Sequence, residues 1–236
     1  MSQMRTSSSP VHEMKYPLTA AQAIEIRAWA RRELAADPLA QLDPDDCYQT
    51  SSLYFDTPAF DVLRRQGSYA RSKYRVRRYG AGGELFLERK MKHRDVVRKW
   101  RTCVPVEELS LLTESHSPKW SGRWFRRRLC ARALRPVCEI SYRRLARVGL
   151  SETGQPIRLT LDDQVRATRV EGLSFAAPGS ADALPQIHAI LELKFQRQVP
   201  AVFARLIETF RLAPSPVSKY RSAAVALGYG AQLTHA

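Results

Sequence analysis

Charge in this chain keeps the two-residue rhythm of a β-strand. In the stretch Arg71-Ser-Lys-Tyr-Arg-Val-Arg-Arg-Tyr79, Arg71, Lys73, Arg75 and Arg77 share one parity, while Tyr74 and Val76 take the other. Successive strand side chains point to opposite faces, so four cations line one surface and apolar groups back it. Ile157-Arg-Leu-Thr-Leu-Asp162 repeats the rule, with Arg158, Thr160 and Asp162 alternating with aliphatics. Ala189-Ile-Leu-Glu-Leu-Lys-Phe195 repeats it again, with Glu192 and Lys194 opposite Leu191, Leu193 and Phe195. Like charges on paired strands repel one another. An unbroken cationic row therefore makes sense where a polyanion is expected.

At 236 residues the chain fits one large domain with a substantial core. Its 44% hydrophobic content and four tryptophans exclude a disordered polyelectrolyte. A formal charge of +15 points to an anionic partner: nucleic acid, phosphate chains, nucleotides or an anionic membrane surface. No apolar run reaches the roughly 18 residues of a membrane span. Residues 1–10 are polar and Ser-rich without a signal-peptide core, so they are expected as a disordered tail on a cytoplasmic protein, with 229–236 as a second tail. Cys47, Cys103, Cys130 and Cys138 lack C-x-x-C spacing and read as reduced thiols.

Along the chain, Val11 to Tyr16 alternates like a strand, with Glu13 and Lys15 on one face. Thr19 is an N-cap for a helix reaching about Ala36. Residues 50–56 read as a strand and Thr57-Pro58 as the start of a short helix through Arg65. The cationic strand turns at Gly80–Gly83 into an antiparallel return over 84–90, and 94–104 forms another strand. Residues 105–112 and 117–134 read as helices, 135–144, 156–162 and 187–196 as strands, and 200–211 and 218–227 as closing helices. About eight strands with hairpin connections imply an antiparallel sheet with helices on its apolar face. Periodicity alone leaves open whether the charged face looks into solvent or into a closed interior.

The cations Lys15, Lys73, Arg75, Arg77, Lys90, Lys99, Arg101, Arg144, Arg158 and Lys194 are candidate phosphate ligands, Arg through its planar fork and Lys as a point charge. Glu13, Glu88, Asp162 and Glu192 share those faces, as ion-pair partners or as the one or two hard oxygen ligands that Mg²⁺ takes from a protein. Glu192, two residues before Lys194, is placed to hold such a metal beside a phosphate. The basic stretch with Lys119, Arg123, Arg126, Arg127, Arg128 and Arg132 also carries Trp120, Trp124 and Phe125. It suits nucleic acid or anionic lipid, and equally a helix packing its aromatics inward while its cations snorkel. Gly80–Gly83 lacks the G-x-x-x-x-G-K-[ST] phosphate loop. His12, His93, His116 and His188 are scattered, which disfavours a protein nucleophile.

From about residue 11 to 228 the chain resembles the VTC domain, the polyphosphate polymerase module of the vacuolar transporter chaperone complex. The segments that carry the likeness are Glu13-Met-Lys-Tyr16, Ser52-Leu-Tyr-Phe-Asp-Thr-Pro58, Lys73-Tyr-Arg-Val-Arg-Arg-Tyr-Gly80 and Leu87-Glu-Arg-Lys90. Tyr142-Arg-Arg144, Ile157-Arg-Leu-Thr-Leu-Asp162, Leu191-Glu-Leu-Lys194 and Ser218-Lys-Tyr220 complete the set. The resemblance implies a triphosphate tunnel metalloenzyme: an α+β fold whose closed eight-stranded antiparallel β-barrel has helices packed outside. It implies that Arg75, Arg77, Lys90, Arg144, Arg158 and Lys219 contact triphosphate or polyphosphate, with Lys15 and Lys99 matching more loosely. Lys90, Arg144, Arg158 and Lys194 are expected at the reacting phosphate, with Lys15, Lys73, Arg75, Arg77, Lys99, Arg101 and Lys219 holding the rest. Glu192, with Glu88 and Glu13, is expected to hold Mn²⁺ or Mg²⁺.

The implied reaction moves the γ-phosphoryl group of ATP onto inorganic polyphosphate. A membrane association would need a partner protein. The related CYTH hydrolases open with E-x-E-x-K, and here that frame reads Val11-His-Glu13-Met-Lys15, without the first acid. Hydrolysis of tripolyphosphate or nucleoside triphosphates on the same fold, and polyphosphate or RNA binding without catalysis, are the rival readings. Nucleic acid is disfavoured as a partner because Tyr74 faces away from the cations, where it cannot stack a base beside them.

Overall fold

A computed structural model of the chain describes residues 11–40, 45–69, 72–93, 96–114, 119–177, 182–184 and 187–229. Arg71, His116, Ser117 and both expected tails, apart from Tyr229 itself, lie outside them, as does the side chain of His93. The elements run β1 (Val11–Leu18), α1 (Ala20–Glu33), β2 (Ala35–Ala36), β3 (Cys47–Asp56), α2 (Asp61–Arg64), β4 (Ser72–Tyr79), β5 (Glu84–His93) and β6 (Val96–Pro105). Then come α3 (Arg123–Ala131), β7 (Arg135–Leu150), β8 (Pro156–Arg169), β9 (Asp182–Ala183), β10 (Ala189–Gln196), α4 (Ala201–Thr209) and α5 (Lys219–Ala226). All strands join one antiparallel sheet whose main path is β1-β10-β8-β7-β3-β4-β5-β6, with β2 on β7 and β9 on β8.

Local chemistry places the elements. Thr19 and Gln22 form a reciprocal capping box that starts α1. Gly80, at φ +55°, takes the left-handed turn between β4 and β5. Asp56 is fully buried and accepts from the backbone N–H groups of Thr57, Val62 and Leu63, so one carboxylate organises the start of α2. Tyr220 of α5 donates to the same carboxylate at 2.5 Å, which ties the last helix to β3.

The apolar parity of the strands faces outward and is covered by helices, as expected. One core packs α1 and α4 on β1, β8 and β10 through Ile26, Trp29, Leu159, Leu191, Phe203 and Leu206. A second packs α2, α3 and α5 on β3, β4, β5 and β7 through Leu53, Phe55, Tyr74, Leu87, Phe125 and Ile140. Full burial of each such side chain contributes about 1.5–3 kcal/mol.

The expected closed eight-stranded barrel is corrected: the sheet is curled but open. β1 and β6 are the two ends of the path, and no ladder joins them among the described residues. The free edge of β1 is met instead by the extended segment 213–217, where the Ser215 N–H donates to the Lys15 carbonyl at 2.9 Å. Once that edge carries a non-strand partner, a rim strand cannot pair there. Local limits differ too. Residues 106–112 form 3₁₀ turns, the basic helix narrows to Arg123–Ala131, and β7 and β8 run 16 and 14 residues.

Candidate functional site

Strand parity and register together build the concave face. β1 and β10 pair Glu13 with Lys194 and Lys15 with Glu192, so acid and base alternate in a checkerboard. The Lys15 ammonium lies 3.0 Å from Glu13 and 3.4 Å from Glu192, and Lys194 lies 2.6 Å from Glu192. Lys90 reaches across from β5 and donates to Glu13 at 3.0 Å. The curl thus brings together strands that are far apart along the sheet. Burial and Glu192 push the Glu13 carboxyl up, but Lys90, Lys15 and Lys194 outweigh them and hold it at about 2. Burial likewise opposes charge on Glu192, and Lys194, Lys15 and Arg144 hold it well below the usual carboxylate range.

Two rows cross β4, β5 and β6. Arg75, Glu88 and Arg101 are in register, and so are Lys73, Lys90 and Lys99. Glu88 is buried, with Lys99 at 2.5 Å, Arg75 at 2.6 Å and Arg101 at 3.4 Å. Glu88, its side chain 1% exposed against 22% for Glu13, is a buried ion-pair anchor with little room for a metal. Lys73 and Lys99 stand at the rim in reach of water, yet the wall around their ammonium groups lowers both to about 8 by burial. Neighbouring cations, Lys15, Lys90 and Arg75 for Lys73, and Arg75 and Arg101 for Lys99, add to the shift.

A third group sits on β7, β8 and α5. Arg144 donates to Asp162 through Nε at 2.5 Å and Nη2 at 2.7 Å, a bidentate fork. Lys219 donates to the same carboxylate at 2.6 Å. Burial pushes Asp162 up, but Arg144 and Lys219 bring it to about 2. Arg158 pairs with Asp37 at 2.6 Å and lies opposite Lys194 in the ladder. The sequence-expected site residues on the strands therefore share one parity of each strand, and Lys219 joins them from α5 through Asp162. Arg158 stands toward one end, and Arg77, 4% exposed, works from behind. Arg77 donates to Ser52 at 3.0 Å and to the Tyr142 hydroxyl at 2.9 Å.

Tyrosines form a layer that sequence reasoning missed. Tyr54, Tyr48 and Tyr79 accept from Arg75, Arg158 and Arg101, each at 3.3 Å. Burial pushes Tyr54 up, but Arg75 and Arg77 reverse it and bring it down to about 8. The Tyr142 ring lies 5.2 Å from the Arg144 guanidinium and 4.6 Å from the Lys219 ammonium. The signal was parity: Tyr142 falls in step with Arg144. Asp37 and the 214–218 segment had no such signal. A groove of about 370 Å³ opens at the mouth between Glu13, Lys15, Arg65 and Lys73 on one side and residues 214–218 on the other.

Comparison with known proteins decides the family. The VTC domain profile matches residues 11–227. The chain belongs to the VTC domain family. No curated protein matches it. Among solved structures, this VTC domain is similar to a candidate adenylate cyclase from Bacillus halodurans, at TM-score 0.52 and 15% identity, covering 89% of this chain and 95% of that one. It is also similar to a candidate adenylyl cyclase from Hippeastrum with a dominant triphosphatase activity, at TM-score 0.52 and 14% identity, covering 92% and 96%. These likenesses show the fold alone, which in this chain is a curled open antiparallel sheet with helices on its outer face. No described helix of the VTC domain is long and apolar enough to cross a membrane.

The carboxylate donors on this face of the VTC domain fit a divalent metal. Glu13 and Glu192 are ionised, face one another closely enough to repel, and offer hard carboxylate oxygens. Among the described residues no cluster of three His, Cys, Asp or Glu ligands exists.

Proposed function

We propose that this VTC domain binds ATP and polyphosphate on its concave face and extends the chain by phosphoryl transfer. One observation carries the reading: cations from seven strands and α5 converge on one concavity that also holds the carboxylates of Glu13 and Glu192. Phosphoryl transfer asks for positioning and charge neutralisation more than for covalent help, and this inventory has no protein nucleophile. Lys90, Arg144, Arg158 and Lys194 surround the transferring group. Lys15, Lys73, Arg75, Lys99, Arg101 and Lys219 hold the remaining phosphates, while Arg77 braces Ser52 and Tyr142 from behind. A terminal oxygen of the chain attacks the γ-phosphorus, the bond to the β-phosphate oxygen breaks, and ADP leaves.

Glu13 and Glu192 would hold Mn²⁺ or Mg²⁺, whose charge screens the repulsion between phosphates. The ion pairs keep the lysines oriented beforehand, and an arriving phosphate takes Lys90 and Lys194 from their carboxylates. This reading places the protein in the cytoplasm with ATP, and any membrane tie would run through a partner protein. Triphosphate hydrolysis is the second reading, favoured by the triphosphatase activity of the Hippeastrum neighbour. Water would then replace the chain oxygen. Incubation with γ-labelled ATP and Mn²⁺, products resolved by length, separates the two. Long chains degraded by an exopolyphosphatase support polymerisation. Orthophosphate alone moves the assignment to hydrolysis, and unchanged ATP overturns both.

A further inference from the structure

Three cations line the groove at the mouth: Lys15 and Lys73 also belong to the concave face, and Arg65 does not. Arg65 is exposed and sits just past α2, where its backbone N–H donates to the Asp61 carbonyl and fixes the base of the side chain. The facing wall is the segment 214–218 that leads into α5. Both walls depend on Asp56. Its carboxylate accepts from the Val62 and Leu63 N–H groups in α2 and from the Tyr220 hydroxyl in the first turn of α5.

Charge in the groove is unevenly answered. Glu13 is the acid of the lining, and Lys15 and Lys90 already hold it, each at 3.0 Å. Lys73 turns instead to a neutral partner, the Ser218 Oγ, at 3.0 Å. The lining has no second carboxylate for Arg65. Across from these cations the wall offers few donors, because Pro214 and Pro216 carry no N–H and Ser215 donates its own to the Lys15 carbonyl. No aromatic ring lines the groove, so a nucleobase would have nothing to stack on. The ligand that suits it is anionic along its length and carries no base. The groove is also continuous with the concave face, for Lys15 reaches Glu192 there at 3.4 Å.

We propose that a linear polyphosphate leaves the concave face through this groove, and that Arg65 is its outer ligand. The proposal rests on the reading of that face as a phosphate site. A triphosphate is accommodated among the cations of the face itself. A longer chain runs on past Lys15 and Lys73, and Arg65 is the next cation in the lining. Its guanidinium fork matches phosphate oxygens, and the donor-poor wall opposite lets the chain slide. Arg65 thereby separates long chains from short ones.

Calorimetric titration of the full chain with tripolyphosphate, ATP and a long linear polyphosphate tests this. Arg65→Gln, a change at an exposed position, should weaken the long chain at least about threefold and lower its salt slope by about 1, with tripolyphosphate and ATP unchanged. Arg65→Lys should keep most of the affinity, since it keeps the charge. Arg205→Gln, on the outer helix α4, is the matched control and should leave the long chain unaffected. Long-chain affinity unchanged in Arg65→Gln, or lost equally in Arg205→Gln or Arg65→Lys, overturns the groove. So does an equal loss for tripolyphosphate or ATP, and in each of these cases the phosphate site on the face still stands. A wild-type chain that binds none of the three ligands overturns the face and the groove together.

Discussion

A single carboxylate, Asp162, holds both Arg144 and Lys219 in a place with almost no water. Removing it strands two half-desolvated cations. Asp162→Ala is therefore expected to lower stability by about 3–5 kcal/mol, read from urea denaturation; a loss below 1 kcal/mol would show that water replaces the carboxylate. Glu192 differs, because it shares its task with Glu13. Glu192→Ala is expected to fold yet to weaken Mn²⁺ binding at least about tenfold by calorimetric titration, and an unchanged isotherm removes it from the metal pair. The lysines, arginines and acids of this face were legible because parity sorts charge directly. The tyrosines were not, since an aromatic on a strand reads as core until its hydroxyl is seen to meet a guanidinium, as Tyr54 meets Arg75.

At the scale of elements, Gly122 shows what holds α3 on the sheet. A Cβ there would come within 2.4 Å of the Trp120 ring and 2.7 Å of Leu87, so the helix start and β5 approach too closely for a side chain. Gly122→Ala is expected to cost about 1–3 kcal/mol, seen as a lower denaturant midpoint; no change would mean that Trp120 swings aside. Sequence caught the start of α1 through its N-cap Thr19 and began the last helix at residue 218, where the structure shows Ser218 capping α5. It overran α3, because arginine favours helix at every position while only Phe125 and Leu129 bury a face. It underran β7, which continues past Arg144 on its ladder with β8 as far as Leu150 and pairs there with β2, distant in sequence.

Across the whole molecule, the charge balance sets two pH limits. Lys73 and Lys99, lowered to about 8, lose protons just above neutrality. On the proposed function polyphosphate would bind their charged forms, so affinity should be full below that value and fall as pH rises through about 8 toward 9. Titration of a long chain from pH 6.5 to 9.5 checks this, and a flat profile counts against it. At the acid end, Glu13 and Asp162 titrate at about 2, against ordinary values of 4.5 and 3.8. Their contribution is whole above the ordinary range and drains away as pH drops toward 2. Thermal unfolding should show the loss between about pH 4.5 and 2, and an acid-insensitive melting temperature would contradict it. Closure was the feature that no local pattern could supply. Alternation tells which face a side chain takes, whereas the meeting of β1 and β6 depends on what the remote segment 213–217 does to an edge.

The seam left by that edge is spanned by side chains: Lys90 on Glu13, and Lys73 on Ser218 at 3.0 Å. Both clasps are lysines that an incoming polyanion would also seek. On the proposed function, cargo and clasp would draw on the same ammonium groups, so a bound chain of phosphates would compete with the contacts that bridge the seam.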